Sequence, residues 1–117
     1  MNEPDCLFCK IIAGDIGADI IYETDQVLAF RDINPQAPTH VLIIPRRHVA
    51  TINDIAEVQA EDEIGRLYAA AAHIAAEEGI ADDGYRVVMN CNEAAGQTVF
   101  HLHLHLLGGR NLTWPPG

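Results

Sequence analysis

Positive charge is scarce in this chain: seven Lys and Arg stand against seventeen Asp and Glu, a formal net charge of −10 at pH 7. A surface field of that sign repels polyanions, which argues against nucleic acid or an anionic membrane as the main partner. It leaves room for a small anion, because a pocket can hold one with backbone N–H groups, helix ends or imidazoles whatever the net charge. Long apolar runs are missing too. No stretch approaches the ~18 residues of a membrane span, and Met1-Asn-Glu-Pro-Asp5 lacks the basic-then-apolar order of a secretory signal. The expected location is cytoplasmic. Cysteine is limited to Cys6, Cys9 and Cys91, and in a reducing compartment a Cys-x-x-Cys pair reads as metal-binding or redox-active, not as a structural disulfide. Repeats, low-complexity tracts and linkers are absent, so the 117 residues are expected to form one domain, 1–117.

What is present patterns as alternating strands and helices. Phe8, Ile11 and Ile12 lie at helical spacing between a candidate Asp5 cap and Gly14, predicting a short helix over 5–13. Ile20-Ile-Tyr22 and Val27-Leu-Ala-Phe30 read as a hairpin, and His40-Val-Leu-Ile-Ile44 as a strand stopped by Pro45, with His40 and His48 at its two ends. From about Asp54 to Glu78 the pattern predicts a long helix with Ile64, Leu67, Tyr68, Ala71, Ile74 and Ala75 on one face and Gly79 as its cap. His73 falls off that stripe and is assigned no role. Tyr85–Met89 and Val99–Leu107 complete about five strands, which with two helices predicts an α+β fold with a mainly antiparallel sheet.

His101-Leu-His103-Leu-His105 carries half of the six histidines. On a strand, alternate residues share a face at roughly 6.6 Å spacing. The leucines would enter the core and the three imidazoles would line up toward solvent or a cleft. Thr or Lys would serve a merely solvated face, whereas imidazole titrates near neutrality and can act as nucleophile, acid or metal ligand. Two chemistries compete on these residues: attack on phosphorus by one imidazole, or coordination of a redox or Lewis-acid metal by all three. Gly96-Gln97-Thr98, small and rich in donors like a phosphate cradle, favours the first.

His101-Leu-His-Leu-His105-Leu-Leu resembles the signature of the histidine triad (HIT) family. Ile33-Asn-Pro-Gln-Ala-Pro-Thr-His40-Val-Leu-Ile-Ile-Pro45, Gly96-Gln-Thr-Val, Leu107-Gly-Gly-Arg and Trp114-Pro-Pro-Gly117 extend the resemblance to its Hint branch, over nearly the whole chain. The resemblance implies a homodimer that binds purine nucleotides. It further implies hydrolysis of nucleoside 5′-phosphoramidates, of the adenosine phosphoramidate type, through a nucleotidyl-histidine intermediate. His103 then matches the nucleophile, its other nitrogen fixed by a backbone carbonyl. His105 matches the phosphate-binding neighbour that helps protonate the departing amine, and His40 a further histidine beside the nucleophile. Asn90, Gly96, Gln97 and Thr98 match the phosphate-side contacts, with Thr98 where Ser is frequent. Asp32 matches the acceptor for both ribose hydroxyls. Leu7, Phe8, Ile11, Phe30, Ile33 and Leu42 match the slot for the base, and Trp114 would reach from the tail, 108–117, across a dimer interface.

Many members of the Hint branch lack the cysteine pair. Its resemblance to zinc-holding relatives implies a structural zinc on Cys6, Cys9, His48 and His101, and no organic cofactor is expected. Two other classes of function stay open: a nucleotide-binding interaction module with incidental turnover, and a metal-dependent oxygenase or hydrolase. Within the family, a branch acting on dinucleoside polyphosphates is the alternative.

Overall fold

The computed structural model describes residues 3–117, so the first two residues of the domain expected over 1–117 lie outside the described residues. Five antiparallel strands form one open sheet: β1 (Ile20–Glu23), β2 (Val27–Arg31), β3 (Thr39–Pro45), β4 (Tyr85–Val88) and β5 (Leu104–Gly108), in the spatial order β1-β2-β3-β5-β4. Two helices accompany them, α1 (Leu7–Ala13) and α2 (Glu61–Glu77). The fold is α+β, as expected.

The alternation of side chains along the strands assigns the two sheet faces. Val27, Ala29, Val41, Ile43, Leu104 and Leu106 pack against Leu67, Ala70, Ala71, Ile74 and Ala75 of α2. Leu28, Phe30, Leu42 and Ile44 face the other way and pack against Phe8 and Ile11 of α1. His40, on the parity of Leu42, and His105, paired with Leu42, belong to this second face. Burying each large aliphatic side chain in these layers contributes roughly 1.5–3 kcal/mol. Both layers meet on β3, all seven residues of which are buried.

Four expectations need correction. The first helix starts at Leu7 and is capped by Cys6, whose Sγ accepts from the Cys9 N–H at 3.2 Å, in place of Asp5. The long helix starts at Glu61 and not near Asp54. Thr51 and Asp54 close a separate turn over Ile52–Asp54 through reciprocal hydrogen bonds, and Gln59 at φ 56 separates that turn from α2. Within α2, Tyr68 is 50 % exposed and Ala70 takes its place in the buried stripe. Alanines there let the helix lie close on the sheet, where a phenol ring has no room. Finally, β5 covers only Leu104–Gly108 instead of 99–107. The segment before it bonds elsewhere: Leu102 N–H donates to the Val49 carbonyl at 2.7 Å, and the carbonyl of His101 is taken by a side chain.

Candidate active site and metal centre

Because residues 101–103 lie outside the ladder, the three histidines do not line one strand face. The leucines still enter the core as expected, Leu102, Leu104 and Leu106 being buried. His101 is 0 % exposed and turns its ring toward Cys6, Cys9 and His48. His103 and His105 stay together, ring centroids 5.0 Å apart. Three imidazoles converging on one metal is therefore not the geometry of this run.

Hydrogen bonds assign a proton to each ring. His103 Nδ1 lies 2.8 Å from the carbonyl oxygen of His101. A carbonyl only accepts, so Nδ1 carries the proton and Nε2 keeps its lone pair. His40 receives the Gln36 backbone N–H on Nδ1 at 3.0 Å, which places its own proton on Nε2. That Nε2–H donates to His105 Nδ1 at 2.9 Å, and the proton of His105 consequently resides on Nε2. Two adjacent imidazoles thus hold opposite tautomers, one nucleophilic and one protic at the corresponding atom.

The assignment requires neutral rings, and burial keeps them neutral. Desolvation pushes His40 and His103 below the ordinary imidazole range, against the pull of the Asp32 carboxylate. It pushes His105 down to about 4, with His103 and His40 adding to the shift. Asp32 Oδ2 stands 3.4 Å from His40 Nε2, and its Oδ1 accepts from the Asn34 N–H at 2.8 Å. Asp32, His40 and His105 bring ligand atoms within 4.8 Å of one another. His40 Nε2, however, carries a proton and donates it. His40 is the second residue of β3, and its ring lies against that of His105.

Phe8 forms the apolar floor, its ring edge-on to His103 at 5.1 Å, to His101 at 6.0 Å and to Phe30 at 5.5 Å. Ile11 and Leu42 are buried beside it. Leu28 and Ile44 join this cluster, members that the parity of Phe30 and Leu42 could have revealed. Ile33 is 102 % exposed and Trp114 80 % exposed, and Leu7 is largely outside, so the structure does not bring these three into the floor.

On the opposite side, the loop after β4 folds around Gln97. Gln97 is buried; its Oε1 accepts from the Asn92 N–H at 2.7 Å, and its Nε2 donates to the carbonyls of Ala50 at 2.9 Å and Val99 at 3.1 Å. Its backbone N–H goes to the Asn92 carbonyl. Gln97 is a brace, and the expectation of a phosphate donor there is corrected because each of these donors is already engaged. Gly96, at φ 87, makes the turn that a side chain would strain. Gly96 and Thr98 are exposed, and Asn90 stands two residues beyond Val88, the β4 partner of His105.

Cys6, Cys9, His48 and His101 gather their ligand atoms within 4.8 Å of one another, close enough to bind a metal ion. His101 Nε2–H donates to the Pro45 carbonyl at 2.8 Å, which turns the Nδ1 lone pair toward the thiols. Burial, with Cys6 adding, pushes the Cys9 thiol up to about 11. Cys91 is half-buried, apart from this group.

The family model described as HIT domain matches residues 13–112. The chain is 54% identical over 108 residues to the purine nucleoside phosphoramidase of Escherichia coli (strain K12), covering 92% of this chain and 90% of that protein. It superposes on a HIT family hydrolase from Legionella pneumophila Philadelphia 1 with a TM-score of 0.93 at 52% identity, over 97% of this chain and 100% of the other. A HIT family hydrolase from Clostridium thermocellum gives a TM-score of 0.91 at 48% identity over 96% of each chain. With five antiparallel strands, a histidine run split between a cysteine–histidine group and a pair of adjacent imidazoles, and matches that span nearly its whole length, the chain belongs to the HIT family.

Proposed function

We propose that this protein is a hydrolase that cleaves the P–N bond of purine nucleoside 5′-phosphoramidates through a nucleotidyl-histidine intermediate. The observation that carries the reading is the pair of opposite tautomers at His103 and His105. His103 Nε2 is an unprotonated nucleophile, held in that state by the His101 carbonyl. It attacks phosphorus, the P–N bond breaks, and the departing nitrogen accepts the proton that His105 holds at Nε2. Water then attacks the nucleotidyl-histidine and returns one proton to the same atom. The products are a nucleoside monophosphate and an amine.

The apolar floor of Phe8, Ile11, Phe30 and Leu42 suits a purine. Asp32 retains acceptor capacity for ribose hydroxyls beside its bond to Asn34. Asn90, Thr98 and the Gly96 backbone supply the donors on the phosphate side. The similarity to a phosphoramidase supports the substrate class.

Zinc is the metal that suits the cysteine–histidine centre. Bonds of about 2.3 Å to sulfur and 2.0–2.1 Å to nitrogen place the nitrogen–nitrogen and sulfur–nitrogen edges of a tetrahedron at roughly 3.3–3.6 Å. Cys6 Sγ and His101 Nδ1 are 3.4 Å apart, Cys9 Sγ and His48 Nδ1 3.3 Å, Cys9 Sγ and His101 Nδ1 3.5 Å, and the two Nδ1 atoms 3.3 Å. Four protein ligands close the site, so the ion supplies a cross-link and no reaction step. On this reading His101 is structural.

We read 1–117 as a single domain that works as a cytoplasmic homodimer, the end of its tail 108–117, past the Arg110 contact with its own chain, seated on the partner. The outer edge of β4 and the exposed Trp114 support that assembly. No described helix is long and apolar enough to cross a membrane. The test is turnover of adenosine phosphoramidate by the wild type and by His103→Ala, with rapid quenching to trap nucleotide on the wild-type protein. Equal turnover by the two would overturn the assignment.

A further inference from the structure

The proton on His105 Nε2 is set two hydrogen bonds away, by a peptide group. Gln36 lies in the loop between β2 and β3, and its N–H makes His40 Nδ1 an acceptor. The same residue is held from its other end: Arg110 Nε–H donates to the Gln36 carbonyl at 3.1 Å, while Arg110 Nη1 donates to the carbonyl of Asn111. The Gln36 side chain donates to the Asn34 carbonyl at 3.0 Å.

The tail reaches this loop because Thr39 pairs with Gly108, which delivers Gly109 and Arg110 beside Pro38 and Gln36. Gly109 adopts φ 90, and a Cβ on it would meet Pro38 Cβ at 2.9 Å. The contact is tight and the backbone conformation is one that side chains disfavour. The segment after β5 therefore clamps the loop that orients His40.

We propose that Arg110 is a positioning residue: by holding the Gln36 carbonyl it fixes the residue whose N–H bonds His40 Nδ1, and through His40 it keeps the proton of His105 on Nε2. Without that hold, His40 Nδ1 is free to take the ring proton. His40 Nε2 then becomes an acceptor, His105 donates to it through Nδ1, and His105 Nε2 faces the phosphorus as a bare lone pair beside that of His103. The departing nitrogen then finds no proton. Asp32, 3.4 Å from His40 Nε2, favours the same tautomer from the other side. Loss of Arg110 therefore weakens the bias and does not reverse it.

The rate arm of the test rests on the phosphoramidase reading; the spectroscopic arm does not. Imidazole nitrogens of ¹⁵N-labelled full-length wild type, Arg110→Ala and Arg110→Lys are followed by long-range ¹H–¹⁵N correlation, alongside turnover of adenosine phosphoramidate. In the wild type, His40 and His105 give the signature of Nε2–H rings. In Arg110→Ala the Nδ1 and Nε2 shifts of both rings move toward one another, and kcat falls about 3- to 10-fold, the worth of one ordinary hydrogen bond, with KM unchanged. Arg110→Lys, which still donates to a carbonyl, recovers part of both effects. Ring shifts unmoved in Arg110→Ala overturn the proposal whatever the rates, as do moved shifts with unchanged kcat in an active enzyme. A wild type with no turnover sinks the phosphoramidase reading and leaves the shift comparison intact. Where Arg110→Ala does not fold, Arg110→Lys against Arg110→Met, which keeps the length and loses the donor, gives the same comparison.

Discussion

His103 donates its Nδ1 proton to the carbonyl oxygen of His101 at 2.8 Å, so the residue that faces the sulfur cluster with its ring also fixes the reactive nitrogen of its neighbour with its backbone. That leaves His103 Nε2 unprotonated, the state that the proposed nucleophile requires. Replacing His103 by Ala should lower kcat at least about 10³-fold, the scale seen when a covalent nucleophile is removed, while AMP affinity measured by calorimetry changes less than about tenfold. A variant retaining a tenth of wild-type turnover would place the nucleophile elsewhere.

The cysteine–histidine centre is expected to carry one zinc per chain, measured by elemental analysis of protein purified without added metal. Cys9→Ser should lose it. At a free-metal concentration a thousandfold above Kd, binding to the folded state contributes about 4 kcal/mol, so the variant should melt roughly 15 °C lower. Binding should also release protons, because burial holds the metal-free Cys9 thiol at about 11 and ligation requires the thiolate. Full zinc content in Cys9→Ser would move the metal to another site.

Much of the fold was legible in the sequence, because it depends on local periodicity. Leu102, Leu104 and Leu106 alternate into the core, and Gly14 ends α1. What was not legible depends on contacts distant in sequence. The pattern of 99–107 reads as one strand, yet the bond from Leu102 to Val49 draws the first part off the sheet. That detour separates His101 from His103 and His105. Gln97 carries the donors a phosphate contact needs, but the carbonyl of Ala50, 47 residues earlier, takes one of them. The role of Gln36 had no side-chain signal at all, since its backbone acts.

Acid should destabilise this protein in two windows. His40, His103 and His105 have folded pKa values below the 6.5 of an unfolded histidine, His105 at about 4. Between those limits the unfolded chain binds more protons, so stability is full above pH 6.5 and falls as pH drops toward 4. Glu78, held below its ordinary 4.5 by the bidentate bond from Arg31, adds a loss that begins as pH falls through 4.5. Urea midpoints at pH 7.5, 6 and 5 should decline in that order below 6.5, and less steeply in His105→Gln. A flat profile from 7.5 to 5 would contradict buried neutral imidazoles.

Gln97→Glu separates a brace from a phosphate ligand. The substitution keeps shape but replaces the Nε2 donor with an oxygen facing two carbonyls, at Ala50 and Val99. Losing both bonds and setting acceptors against one another in a buried site costs about 2–4 kcal/mol, or roughly 10–15 °C in melting temperature. A direct phosphate contact would show a different signature: melting unchanged, with affinity for AMP reduced and that for adenosine preserved. The brace predicts the reverse order of effects, a lower melting temperature first, with AMP and adenosine weakened alike because the whole loop from Asn92 to Val99 loosens.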